Sequence, residues 1–369
     1  MTPPRNQRQI WIGGLLLGTL LINLTACGQE NMVSDAESFT ATAQLIPEVS
    51  PSPAYTSTPT GPPPAGFQSD LLRDGIIPVD YIQDSCRYLE LRWDPQNSAP
   101  GTIVAPIMFH GILRGSTVPT DDDSISFVTF MQIVWLAQKL GYETITTEEL
   151  LAFLQENAKI PRRSMILILD DRRPGTAEEY FLPVNKENDW TTTLAWIVGD
   201  TDQRAGLWER MERLNDTGYF DVQSHGLNHI YLNDRMSEET VREEIEGSIP
   251  ILKQHFGEKP LAYIWPGGNY TKLGIEIAHQ AGFELGFTIH SRGPILFNWI
   301  PQGEKELTFG DPFMLLPRFW DTAALLNLDR ADQIGDAARD FAEENYPAEA
   351  EWFQQNCSGE LPPLGDVLK

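Results

Sequence analysis

Between residues 164 and 175 the chain reads SMILILDDRRPG. Ile166, Leu167, Ile168 and Leu169 are apolar without alternation, so a strand through them has no face to give to water. Such a strand belongs inside a sheet covered on both sides, which is the setting of parallel sheets flanked by helices. It ends in Asp170 and Asp171. Two like charges at a buried edge are costly unless something cationic stands beside them.

The neighbouring pattern agrees. Strand-like runs at 102–110, 164–170, 191–199, 220–225, 261–266, 283–289 and 313–320 alternate with helical ones. The helices fall around 124–140, closed by Gly141, at 146–157 with Thr147 as cap, at 204–216, after Ser237, at 271–281, and in a long stretch around 322–356. Alternating strands and helices predict an α/β domain with a parallel sheet, open or closed as a barrel. In such folds chemistry collects at the C-terminal ends of the strands.

The first residues concern compartment. Arg5 and Arg8 precede an apolar run from Ile10 to Leu24, followed by Thr25, Ala26 and Cys27. A basic start, a short apolar run and small residues describe a secretory signal over 1–26. Cys27 at its end resembles a bacterial lipobox. That resemblance implies a lipid on Cys27 holding the chain to a membrane, as an exported lipoprotein of the cell envelope or an extracellular membrane face. Residues 27–70 are rich in Ser, Thr and Pro and predict an extended tether. Residues 71–356 suffice for one large α/β domain, and 357–369 form a tail.

The formal charge is −25, and removing a leader with two arginines and no acid takes it to −27. That excludes nucleic acid and anionic membrane as charge-driven partners. Nothing in the sequence calls for an oligomer, and a monomer is expected. Cys86 and Cys357 remain. An oxidising compartment favours a disulfide between them, the alternative being two buried thiols.

The predicted strand ends carry His110, Asp170 and Asp171, the run Ser224 to His229, Pro266-Gly267-Gly268, and Arg318. His225 and His229, four apart, share one face of a helical turn. Two imidazoles and one carboxylate make a facial set of three metal ligands with positions left for water and substrate. Zinc is the default ion, and other first-row metals suit the same donors.

The segments PIMFHGI, LILDDRRPG, SHGLNH, YIWPGGNY and LLPRF together resemble the polysaccharide deacetylases with a NodB-homology domain, carbohydrate esterase family 4, over roughly 100–320. The resemblance implies a distorted (β/α)7-type barrel and metal-dependent removal of N-acetyl groups from an extracellular amino-sugar polysaccharide. The histidine-ended strand ahead of the DD strand is similar to the subgroup acting on poly-β-1,6-N-acetylglucosamine. Peptidoglycan, chitin and acetylated xylan are alternative substrates, and a carbohydrate-binding pseudoenzyme is the alternative class. By the same resemblance Asp171, His225 and His229 hold the metal, Asp170 is the general base, and the Gly267 N–H faces the developing oxyanion.

Two departures from the family pattern stand out. The late Leu-x-His motif reads Leu316-Pro317-Arg318, so the resemblance passes the role of acid to His110, with His290 next in line. Arginine does not release a proton at ordinary pH, and Arg318 is expected to hold Asp170. Arg172 and Arg173 replace the glycine that usually follows the acidic pair. They are candidates to bind substrate hydroxyls, to pair with acids, or to block the cleft. Trp265, Tyr270, Trp299 and Trp320 are expected in the core rather than under sugar rings.

Overall fold

The computed structural model describes residues 61–367, apart from 62 and 122. The leader, Cys27 and most of the tether lie outside the described residues.

The chain first forms a short strand, Ile76–Val79, paired antiparallel with Ile300–Gly303, then a helix, α1 (Ser85–Trp93), and the strand β1 (Ile103–Phe109). Helix α2 (Phe127–Leu140) is capped by Ser126, whose hydroxyl accepts the Thr129 N–H. Helix α3 (Thr147–Glu156) lies within the expected 146–157, but its cap is Thr146 rather than Thr147. Thr146 and Glu149 exchange side-chain-to-backbone hydrogen bonds in a capping box. The opening stretch forms β2 (Arg163–Asp170). Strand β3 (Thr192–Trp196), helix α4 (Leu207–Asp216) and strand β4 (Phe220–Ser224) follow. The helical run after Ser237 is broken at Gly247 into α5 (Glu238–Glu246) and α6 (Ser248–Phe256). Then come β5 (Ala262–Ile264), α7 (Lys272–Ala281), β6 (Leu285–Phe287), the two-residue β7 (Ile295–Leu296) and β8 (Phe319–Trp320), and α8 (Ala324–Asn356).

Strands β6, β5, β4, β3, β2 and β1 lie side by side in that order, each parallel to the next. This is the curled parallel sheet of the expected barrel. The seam is irregular. A single strand over 313–320 was expected, but only Phe319 and Trp320 pair regularly, alongside Ile107 and Met108 of β1. Residues Phe313–Leu315 form a 3₁₀ turn, and Leu316 bridges to Phe287 of β6. Pro317 has no N–H to offer a ladder, which fits the interruption there. The segment 316–320 thus touches both edges of the sheet and carries Arg318 between them.

Side-chain parity explains the carboxylate pair. In β2, Met165, Leu167 and Leu169 pack outward into the cluster that holds α2, α4 and α8. Ile166 and Ile168 point the other way, among Val104, Ile264, Phe287 and Leu316. Asp170 continues the inward series by the period of two. Asp171 follows at a backbone turn with φ 69°. A slip of one residue would exchange the faces and send Asp170 outward.

Both ends of the domain extend past the expected boundaries. Phe67 packs on Trp299 and Phe341, with ring centroids 5.8 and 5.7 Å apart, and the Trp299 Nε1–H donates to the Phe67 carbonyl. Residues near 67 are therefore part of the fold rather than free tether. The segment after 356 is not a loose tail either. Cys357 is bonded to Cys86, and Leu361, Leu364 and Val367 pack with Trp93 and Trp352. The burial of these apolar side chains holds both segments down.

The disulfide joins α1 to the end of α8 across a sequence separation of 271. Closing so long a loop restricts the unfolded chain strongly. Cys357→Ser is expected to lower the unfolding free energy by about 2–5 kcal/mol, measured by chemical denaturation. Thiol titration of the unfolded, unreduced domain should find neither cysteine free.

Candidate active site

Register brings the polar strand ends to one rim. Phe109 lies opposite Leu169, so His110 and Asp170 leave their strands at the same height. Asp170 pairs across to Ala195, Trp196 to Ser224, and Ser224 to Tyr263. His225 therefore emerges next to the carboxylates.

Asp170 is buried and held by Arg318, whose Nη1–H group lies 2.7 Å from Oδ1 and 2.9 Å from Oδ2. Arg318 is itself fully buried, and its Nε–H donates to the Thr288 carbonyl at 2.7 Å. Burial works against charge on Asp170. The Arg318 guanidinium, with His225 and His110 behind it, outweighs burial and holds the carboxyl below its ordinary value. His110 Nε2 and His225 Nε2 each lie 3.8 Å from Asp170 Oδ2.

The histidine pair is carried by a loop, not by the helical turn that the spacing suggested. Gly226 and His229 both adopt positive φ, 81° and 61°. A Cβ at residue 226 would meet Glu244 Oε1 at 2.2 Å, so glycine is required there. Glu244, buried on α5, fixes this loop: its carboxylate accepts the Asn228 N–H at 2.8 Å and the Ile230 N–H at 3.0 Å. No local pattern marks Glu244, because its partners lie 14 and 16 residues earlier and α5 is acidic throughout.

His225 Nδ1–H donates to the Ile264 carbonyl at 2.7 Å, which leaves Nε2 with a lone pair toward the site. Burial, opposed by Asp170, pushes its imidazole down to about 4. Burial also lowers His229, against the pull of Asp171. Neutral imidazoles are the form that binds metal.

Asp171, His225 and His229 bring one donor atom each to within 4.8 Å of one another. His225 Nε2 and His229 Nε2 are 3.1 Å apart, and Asp171 Oδ1 lies 3.9 and 3.6 Å from them. Ligand bonds of about 2.0–2.2 Å to one ion put neighbouring donors at such separations. The donor set, two imidazole nitrogens and a carboxylate oxygen, suits zinc and other first-row ions. The residues present fit a divalent cation.

The two arginines after the acidic pair have separate partners. Arg172 Nε–H donates to the Ile197 carbonyl at 2.8 Å, and its Nη2 reaches the Gly199 carbonyl. Arg173 Nη2–H donates to Asp171 Oδ2 at 3.2 Å, bracing the oxygen that does not face the histidines. Gly267 adopts φ 58°, and a Cβ there would stand 2.9 Å from Tyr231 Cζ. Tyr231 is exposed, lies over Gly267 and sets its ring edgewise to His229 at 5.3 Å.

Of the four aromatics, Trp265, Tyr270 and Trp299 are buried. Trp320 is half-buried and stacks on His110, with centroids 6.2 Å apart and planes 18° apart. His290 lies beside the centre rather than in it, its carbonyl accepting the Arg318 N–H.

The polysaccharide deacetylase family model matches residues 157–286, the stretch that holds Asp170, Asp171, His225, His229 and Gly267. Residues 157–286, about a third of the chain, thus resemble a polysaccharide deacetylase domain. His110 and Arg318 fall outside the matched stretch. The deacetylase PplD of Streptococcus pyogenes, solved in complex with acetate, shares the fold: it is 19% identical, covers 62% of this chain and 97% of its own, and has a TM-score of 0.51. IcaB from Ammonifex degensii is 18% identical over 64% of this chain and 97% of its own, with a TM-score of 0.48. The polysaccharide deacetylase BC0361 from Bacillus cereus is 18% identical over 62% and 69%, with a TM-score of 0.49. No curated protein matches the sequence.

Proposed function

We propose that the domain is a metal-dependent deacetylase that hydrolyses N-acetyl groups on an extracellular amino-sugar polysaccharide. The observation that carries this reading is the convergence of the Asp171, His225 and His229 donors beside an Asp170 kept ionised by Arg318. A divalent ion held by Asp171, His225 and His229 would supply Lewis acidity toward the attacking water and the acetyl carbonyl. Asp170 takes the proton from the attacking water as its oxygen bonds to the carbonyl carbon. Arg318 orients Asp170 for this, since both carboxylate oxygens lie within 2.9 Å of its Nη1. The Gly267 N–H stabilises the negative charge on the former carbonyl oxygen. As the carbon–nitrogen bond breaks, His110 gives a proton to the departing amine, and acetate is left. The pseudoenzyme reading loses its main support, because the Arg172 guanidinium is already engaged by the Ile197 and Gly199 carbonyls.

The leader sequence supports export and lipid attachment at Cys27, with action at the cell envelope. The Cys86–Cys357 bond is in keeping with an oxidising compartment. The resemblance at His110 suggests poly-β-1,6-N-acetylglucosamine, with peptidoglycan among the alternative polymers.

The test is acetate release from an acetylated amino-sugar polymer, with metal content measured alongside. One divalent ion per domain is expected, and a chelator should abolish release. His110→Asn should lower N-deacetylation roughly 10²–10⁴-fold while sparing an activated aryl acetate, whose leaving group needs no proton. Equal loss on both substrates with the metal retained would remove His110 from the role of acid.

A further inference from the structure

A cleft of about 430 Å³ opens beside the catalytic centre, between Arg73, the 289–294 segment and the start of α8. It begins where the centre ends: Trp320, stacked on His110, and His290, whose carbonyl accepts the Arg318 N–H, both line it. Its charge runs against the rest of the chain. The sequence has 52 acidic and 27 basic residues, yet Arg73, Arg292 and Arg330 line the cleft and no Asp or Glu does. Arg292 is buried and neutralised by Glu306 at 3.1 Å. Among the described residues the Arg73 guanidinium bonds only to the Ser291 carbonyl, and neither Arg73 nor Arg330 has an ion-pair partner there. Leu326, 62% exposed, and Trp320 provide apolar surface between them.

Guanidinium groups are suited to planar and tetrahedral oxyanions, which they bind with paired hydrogen bonds. A homopolymer of N-acetylglucosamine is neutral and would leave both arginines unanswered. Its deacetylated product is cationic and would be repelled. We infer that this cleft takes an anionic group, carboxylate or phosphate, on the sugar residue next to the one that is deacetylated. The substrate is then an acidic polymer containing amino sugars. This rests on the reading of the adjoining centre as an N-deacetylase and selects among its substrates.

Three hexasaccharides of equal length test it on the whole protein. One is neutral N-acetylglucosamine, one carries muramyl-type carboxylates on alternate residues, and one carries a sugar phosphate. The kcat/KM for acetate release should favour an acidic hexamer by roughly ten-fold or more, and the preference should shrink as salt is raised. In Arg73→Gln/Arg330→Gln the acidic-to-neutral ratio should collapse toward one, through KM rather than kcat. Whichever acidic hexamer is preferred identifies the anion. Oligogalacturonate, which has carboxylates and no acetamide, probes the cleft without the reaction. Its affinity by calorimetry should fall roughly ten-fold in the double variant, and in the same direction in Arg73→Gln alone, a change in an exposed residue. Equal rates on neutral and acidic hexamers, or oligogalacturonate binding indifferent to both arginines, would overturn the inference. If no hexamer releases acetate while oligogalacturonate binding still depends on Arg73 and Arg330, the deacetylase reading fails and the anion site stands.

Discussion

Asp170→Asn is expected to retain the divalent ion and lose roughly 10²–10⁴-fold in kcat. The substitution keeps the shape of a side chain that is 2% exposed and wedged against Arg318. It removes the ability to accept a proton from water. The metal should stay, because the three converging donors belong to Asp171, His225 and His229. Acetate release and metal content measured on the same sample check both halves. Turnover close to wild type would assign the base elsewhere, and loss of the metal would make Asp170 a ligand.

Arg318→Met should destabilise the domain by about 3–5 kcal/mol, the cost of leaving one member of a buried ion pair without the other. Arg318 is fully buried, and its Nη1 serves both oxygens of Asp170 while its Nε serves the Thr288 carbonyl at the seam of the sheet. Denaturant unfolding after metal removal isolates this term from the charge of the ion. The double variant Asp170→Asn/Arg318→Met should recover a large part of the loss, because the uncompensated charge is then gone. Additive effects of the two substitutions would mean that the pair is not coupled. Activity should fall with Arg318→Met as well, since Asp170 loses the group that orients it.

Much of the frame was readable from local pattern. A strand apolar on both faces implies cover on both sides, and β2 sits between β1 and β3 in a parallel sheet with every residue from Ser164 to Asp170 buried. The acidic pair and the histidine pair stood out because ionisable groups at the ends of apolar runs need a reason to be there. Local pattern is not decisive where two neighbouring residues suit the same position. Thr146 and Thr147 are both able to cap a helix, and it is the reciprocal bond with Glu149 that selects Thr146. The four-residue spacing of His225 and His229 fits a helical turn equally well, and the loop forms instead because Glu244, on a later helix, draws in the Asn228 and Ile230 N–H groups.

The amino-acid sequence by itself determined the alternation of strands and helices, the parity that sends Asp170 inward, and the donor types available for a metal. These follow from backbone periodicity and side-chain chemistry, which act over a few residues. Only the tertiary structure decided that Arg318 reaches Asp170 across 148 positions, that Trp320 stacks on His110, that residues near 67 and after 356 join the core, and that Arg73 and Arg330 line one cleft. Each of these depends on the irregular seam at 316–320 or on chain ends meeting the barrel. Contacts between distant segments are selected by packing and charge in the closed fold, and no local period encodes them.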